Sequence, residues 1–313
     1  MTAGDHRAAS DALRTPLRRH NVRRGRERWI AALLRLCAWT AVLTTLGIVY
    51  VLVGESLGFF ARVSLWDFLS DDQWTPLFST PHFGIGVLLS GTLTAAAIAL
   101  LVAVPLGTAI AVWLAEFARP RVRELVKPLL ELLGSIPTIV LGWFALTWVT
   151  PALQWLIPGL PGFNLLAAGL VMGLLIVPFI ASISEDAMHA VPMALREGAY
   201  ALGATRLQTA LRVVLPAAGS GVAAAHVLGI SRAFGETMIV AVAAGLQPRL
   251  GFDPTQSAAT ITSYMVQVAL GDLPHGSAGY QTLFAAGLAL FVLTLAFNLL
   301  ALALRRRMRE ALR

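Results

Sequence analysis

Six long apolar runs limit what this chain can fold into more than any other feature. A helix needs about 20 apolar residues to cross the hydrocarbon layer of a bilayer. The runs fall at about Trp29–Val53, Gly84–Leu114, Leu129–Val149, Phe163–Ser184, Ala217–Leu246 and Leu283–Leu304. Only 13% of the 313 residues are charged, about half the share of an ordinary soluble domain. So few charges could not cover a water-exposed surface. The sequence therefore predicts an all-α integral membrane protein with six transmembrane helices, which excludes a cytosolic enzyme. Pro105, Pro137 and Pro178 fall inside the runs, where neighbouring helices can satisfy the freed carbonyls. The first run is too long for a cleavable signal peptide and follows a 28-residue arginine-rich arm, so none is expected.

The basic residues set the orientation. Eight arginines precede the first run: Arg7, Arg14, Arg18, Arg19, Arg23, Arg24, Arg26 and Arg28. Arg119, Arg121, Arg123 and Lys127 follow the second run, Arg196, Arg206 and Arg212 follow the fourth, and Arg305, Arg306, Arg307, Arg309 and Arg313 end the chain. Twenty of the 24 basic residues thus lie on one side. The opposite loops hold Arg62 and Arg249 beside acids such as Asp67, Asp71, Asp72 and Asp272. Both termini are expected in the cytoplasm. The net charge of +7 then reports topology and contact with anionic lipid, and no nucleic acid is needed to explain it.

The expected organisation is a cytoplasmic arm over 1–28, a first transmembrane helix over 29–53 and an extracytoplasmic loop over 54–83. A five-helix core over 84–304 and a cytoplasmic tail over 305–313 follow. No internal repeat of the inverted kind found in many secondary transporters is evident.

Motifs for chemistry are missing. Cys37 is the single cysteine, which rules out a disulfide framework and a cysteine metal site. The one lysine, Lys127, lies between Val126 and Pro128, so no phosphate-binding P-loop exists. Neither His-Glu-x-x-His nor Gly-x-Ser-x-Gly occurs. No catalytic residue, cofactor or metal is expected, and any ATP must be bound and hydrolysed by a partner.

The loop over 185–216 is unusually long for a link between membrane helices and carries helical signals. Pro192 suits a first helical turn, and Met188, Val191, Leu195, Ala199 and Leu202 recur at helical spacing. Gly203 suits a left-handed stop, and Thr205 can cap a second short helix through Leu211 before Pro216 opens the fifth span. The residues allow two roles, a rigid knob for a partner's groove or an amphipathic helix on the lipid surface. Glu197 could pair with a basic residue of such a partner. The run Glu197-Gly198-Ala199, then Gly203, then nine residues, then Val213-Val214-Leu215-Pro216 resembles the EAA loop of ABC-importer permeases. It departs mildly at Gly198 and Val213. The resemblance implies that Glu197, Gly198, Ala199, Gly203, Leu215 and Pro216 dock on a cytoplasmic ATPase subunit and transmit closure of its dimer.

Arg232 lies in the fifth run, about 22 Å along a helix starting near Ala217. A charge at that depth costs several kcal/mol, by roughly 2.5 or more on insertion scales. Glu236 follows four residues later, where a continuous helix would bring it to Arg232 as an ion pair. Such a pair seldom stabilises more than an apolar alternative, so either a structural helix contact or a functional site would explain it. The planar fork of Arg232 suits a tetrahedral oxyanion. On this reading Glu236 holds the fork when no anion is present and repels the anion afterwards.

The stretch Ser231-Arg232-Ala233-Phe234-Gly235-Glu236-Thr237-Met238 resembles the signature of PstC-type phosphate-import permeases. Ser135-Ile136-Pro137-Thr138-Ile139-Val140-Leu141-Gly142, Leu202-Gly203-Ala204-Thr205, Thr262–Asp272 and Tyr280-Gln281-Thr282 agree with it. Leu141 stands where the family usually has a tyrosine or similar residue. The resemblance covers about Gly84 to Leu304. It implies the type I ABC-importer permease fold in a prokaryotic inner membrane, with Arg232 and Glu236 on the phosphate path. It further implies a PstA-like permease companion, two cytoplasmic ATPase subunits and an extracytoplasmic phosphate-binding protein. Alternatives are another oxyanion (molybdate, sulfate or phosphonate), a secondary transporter or channel, and a sensory scaffold.

Lesser signals have plain expectations. His226 reads as a hydrogen-bonded packing histidine, Arg35 as snorkelling to headgroups, and Gly169 with Gly173 as a close helix contact. Trp143, Trp148 and Trp155 read as an interfacial belt at the outer end of the third span. The acidic stretch Asp67–Asp72 reads as a solvated loop or a contact for a delivering partner.

Overall fold

The computed structural model describes residues 20–274 and 276–311. Arg7, Arg14, Arg18, Arg19 and Arg313, part of the orientation argument, lie outside the described residues. The chain divides into two units, Met1–Val53 and Gly54–Arg313. Most of the first unit belongs to helix α1, His20–Phe60. The helix thus begins inside the expected arm and ends past the expected limit at Val53. Helical hydrogen bonding does not stop where hydrophobicity stops, and no proline lies between. Thr40, Thr44 and Thr45 hydroxyls bond back to carbonyls of the same helix, as polar groups in a span must. Arg35 Nε donates to the carbonyl of Ala31, one turn back.

In the second unit, α2 (Leu65–Ser70) starts at Ser64, whose hydroxyl accepts the Trp66 N–H. Asp71 then ties the loop together, accepting from Gln73 N–H at 3.0 Å and meeting His82 Nδ1 at 2.9 Å. Burial works against its charge, but these partners outweigh it and hold the carboxyl below its usual range. Asp71 is therefore a structural part of the acidic loop, while Asp67 and Asp72 stay exposed.

The long α3 (Ile85–Phe117) and α6 (Leu165–His189) form the centre of the unit. They run parallel, because Gly169 meets Ile98, Gly173 meets Val102 and Gly107 meets Ile180. A Cβ at Gly173 would fall 2.8 Å from the Ala99 carbonyl oxygen, so the expected small-residue contact is real and its partner is α3. Helix α9 (Gly219–Gly235) packs on both, with Gly229 against Ile176 and Ile180.

Two expected spans move. The third is not Leu129–Val149. Helix α4 (Pro120–Gly134) ends before Ser135-Ile136-Pro137, and the span is α5 (Thr138–Leu156). The helix breaks at Ser135–Pro137, where the proline disfavours helical backbone at the residue before it, although Pro105, Pro128 and Pro178 are each carried inside continuous helices. The shift puts Trp143 in the first turns of the span rather than at its outer end, leaving Trp155, 94% exposed, in the last turn. The fifth span is broken as well. The second helix of the loop over 185–216, α8 (Arg206–Ala217), meets α9 at a 75° bend. Beyond Gly235 the chain is extended at Glu236 and resumes as α10 (Met238–Ala243), short of the expected Leu246. Helix α7 (Met193–Ala201) lies in the loop over 185–216, and α11 (Ile261–Ala269) and α12 (Ala278–Ala311) complete the unit. Among the described residues, five helices are long and apolar enough to span a membrane, and the bent pair α8–α9 makes a sixth. The only bridges described there are isolated, Trp74 with Phe83 and Gly245 with Ala258.

Candidate functional site

Arg232 stands in the last turn of α9, about 20 Å from its start at Gly219. Its guanidinium carbon lies 4.0 Å from the centre of the Phe179 ring on α6, a cation–π contact. The Nε–H is buried and has no hydrogen-bond partner among the described residues. Both residues are half-buried. The far edge of the Phe179 ring faces the end of α4, where a Cβ at Gly134 would come within 3.2 Å of Cε2. Phe179 also lines a cavity of about 450 Å³ with Gly134, Ser135 and Ser182.

The expected ion pair between Arg232 and Glu236 is not formed. Helix α9 stops at Gly235, so Glu236 leaves the helical face that the i, i+4 spacing assumed. Its carboxylate turns instead to the start of α10, where Oε1 accepts the N–H groups of Thr237, Met238 and Ile239 at 3.1, 3.1 and 3.3 Å. Three orphan donors at a helix start hold a buried carboxylate better than one arginine across a broken backbone. The freed carbonyls are also satisfied. Thr262 Oγ1 donates to Glu236 O at 2.7 Å, and Thr237 Oγ1 donates to Gly235 O at 3.2 Å. Irregular backbone inside a membrane is tolerated where protein groups satisfy it in this way. Ser231, one residue before Arg232, donates to Asn298 on α12.

Other motif residues support this break. Gly142 of α5 is buried against α10, with a notional Cβ 3.0 Å from Val242 Cβ and 3.1 Å from the Met238 carbonyl. Tyr264 bonds Thr282 at 2.6 Å and packs edge-on against Trp74. His226 Nε2 lies 2.9 Å from Thr108 Oγ1, whose own proton goes to Val104 O. That leaves the imidazole as donor in a satisfied packing contact.

The loop over 185–216 forms largely as its caps predict. Pro192 opens α7, Gly203 is left-handed at φ +82°, and Thr205 with Gln208 makes a reciprocal cap on α8. Helix α8 does not stop at Leu211; it runs through a wide π turn over Ala210–Val214 to Ala217, with Leu215 and Pro216 inside it. The apolar residues that recur at helical spacing divide. Met188 and Val191 are buried, whereas Met193, Leu195, Leu202 and Leu207 face outward with Glu197 and Gly198. Around Gly198 and Gly203 nothing lies within 4 Å of a notional Cβ, so the corner is open to a partner.

Residues 107–310 match the family model described as the binding-protein-dependent transport system inner membrane component. The chain belongs to this family. The match runs from within α3 through the loop over 185–216 and the broken span to α12. This permease is 38% identical over 238 residues to the probable ABC transporter permease protein YqgH of Bacillus subtilis, covering 76% of this chain and 77% of that one. It is 36% identical to the phosphate transport system permease protein PstC of Mesorhizobium japonicum, covering 76% and 77%. Its fold is that of a bacterial alginate ABC transporter chain, with a TM-score of 0.63 at 20% identity over 90% of this chain and 96% of that one. A chain of the MetNI methionine ABC transporter gives a TM-score of 0.53 at 20% identity, covering 72% and 94%. The permease is thus a multi-pass inner-membrane subunit of the type I importer fold, and ATP hydrolysis belongs to separate subunits.

Sequence reasoning missed several residues of this permease. Phe179 gave no signal, being one apolar residue in an apolar run. Arg123, Lys127 and Arg196 were read as topogenic charges, yet all three are ion-paired, to Glu185, to Glu185 with Asp186, and to Glu116.

Proposed function

We propose that this permease forms half of the membrane pathway of an ATP-driven importer of inorganic phosphate, with Arg232 as the anion contact inside the membrane. The observation that carries the reading is the buried Nε–H of Arg232, which has no hydrogen-bond partner among the described residues, in a chain 36% identical to a phosphate transport system permease. A half-buried arginine resting over an aromatic ring, with a buried N–H that lacks an acceptor, is suited to recognition of an oxyanion by its planar fork. The charge costs several kcal/mol in an apolar layer, and an arriving anion offsets that cost only while it is bound. Glu236 contributes by holding the backbone break next to Arg232, and the break gives the two halves of the span separate freedom.

Family membership brings ATPase subunits and a substrate-binding protein as partners. The finer assignment is a PstA-like companion permease across the pathway, two ATPase copies below it, and an extracytoplasmic phosphate-binding protein above. The open corner around Glu197, Gly198, Ala199 and Gly203, backed by Leu215 and Pro216 on α8, supports docking on one ATPase copy. Phosphate uptake by R232Q is the direct test. Uptake is expected to vanish while the variant still co-purifies with its partners, and excess sulfate, molybdate or phosphonate is expected to leave wild-type uptake unchanged. An R232Q complex that imports phosphate normally removes the site, and inhibition by another oxyanion reassigns the cargo.

A further inference from the structure

Helix α7 carries the exposed Glu197, yet among the described residues of that helix the single buried side chain is its neighbour, Arg196, at 8% exposure. Its Nε and Nη2 both reach Oε1 of Glu116, at 3.0 and 2.9 Å. The same guanidinium donates to the carbonyls of Met188 at 2.8 Å and Val191 at 2.5 Å. One side chain therefore ties α7 to the end of α6, to the linker between them and to the end of α3. Glu116 sits in a π-helical turn, Trp113–Phe117, that ends α3. The contact is polar, buried and directional, where an apolar contact would allow sliding. Breaking a buried pair of this kind leaves an uncompensated charge.

We propose that Arg196 and Glu116 are positioning residues that join the docking helix rigidly to α3, so that displacement of α7 by the ATPase moves the helix packed on Arg232's own segment. From α3 the connection to α9 is direct, through Thr108 and His226 at 2.9 Å. A flexible joint would let the ATPase close its dimer without moving the pathway. The proposal rests on the reading that α7 docks on an ATPase subunit.

The test uses the whole complex in proteoliposomes and compares phosphate imported with ATP hydrolysed. E116Q keeps an acceptor oxygen but removes the charge, and R196K keeps the charge but cannot reach Glu116 and both carbonyls together. In both variants the ATPase subunits are expected to remain bound and ATP hydrolysis to persist. Phosphate imported per ATP should fall by about tenfold, within the usual range for coupling between sites. An unchanged ratio in both variants overturns the proposal. Loss of the ATPase subunits from both also overturns it, because the pair would then serve to form the docking surface and not to transmit its movement. G203D is the control for the underlying reading. It should release the ATPase subunits, and if it keeps them with normal import, the docking assignment fails independently of the joint.

Discussion

The guanidinium carbon of Arg232 lies 4.0 Å above the centre of the Phe179 ring, so the charge in the middle of this membrane protein is held by an aromatic face and not by a carboxylate. A cation–π contact is worth about 0.5–2 kcal/mol between exposed and desolvated sites, or roughly twofold to thirtyfold in a rate that depends on it. F179L removes the ring face while keeping most of the volume, and phosphate import should slow within that range. F179W, which restores a face, should stay within about twofold of wild type. Import in proteoliposomes at matched complex content measures both. An F179L complex as fast as wild type would show that the ring does not position the arginine.

Glu236 caps the start of α10. E236A should strip three backbone donors of their acceptor, costing about 1–3 kcal/mol and lowering the melting temperature of the purified complex. Amide exchange should accelerate at Thr237, Met238 and Ile239. The double-mutant cycle with R232Q should give a coupling below about 0.5 kcal/mol, as for groups that do not interact. A larger coupling would restore the ion pair.

The buried Glu185 joins α4 to α6, ion-paired to Arg123 Nη2 at 2.7 Å and accepting a hydrogen bond from Lys127 Nζ at 3.0 Å, while Lys127 also contacts Asp186. Burial disfavours the ammonium, but the carboxylates of Asp186 and Glu185 outweigh this and raise Lys127 above its ordinary 10.5. A raised lysine stabilises the fold fully below its unfolded value and loses that contribution as pH rises through the folded one. The melting temperature of wild type should therefore exceed that of K127M by a constant margin from about pH 7 to about pH 10, and the margin should shrink above about 10.5. A margin that grows at high pH would contradict the pairing. E185Q should cost more, about 3–5 kcal/mol, because it strands two cations.

Gly173 lets α6 approach the backbone of α3, with the Ala99 carbonyl and Val102 both inside contact distance of a Cβ. G173V should overpack this seam by about 1–3 kcal/mol and reduce the yield of assembled complex. G198A, where no atom lies within 4 Å, should leave yield unchanged. Equal yields from G173V and wild type would mean the helices do not meet here.

Local signals were legible wherever neighbours in sequence do the work. The left-handed Gly203, the Thr205 cap and the opening at Pro192 each depend on a few adjacent residues, and the structure has all three. The Gly169–Gly173 contact was legible too, though not its partner. The third span was misjudged by reading hydrophobicity through Ile136-Pro137, and the Arg232–Glu236 pair by assuming that helical spacing continues past Gly235. A glycine before Glu236 was the available warning, since glycine commonly ends a helix.

Apolar run length and the placement of arginines determined the class of this protein, because the bilayer penalises any unpaired polar backbone and leaves helices as the solution. Short-range caps determined the corner at Gly203. Only the tertiary structure decided which charges meet. Arg196 and Glu116 are 80 residues apart and Lys127 and Glu185 are 58 apart, and no periodicity connects positions on different helices. The choice of partner for Glu236 was likewise a competition between groups, won by three N–H donors that exist only because the helix breaks.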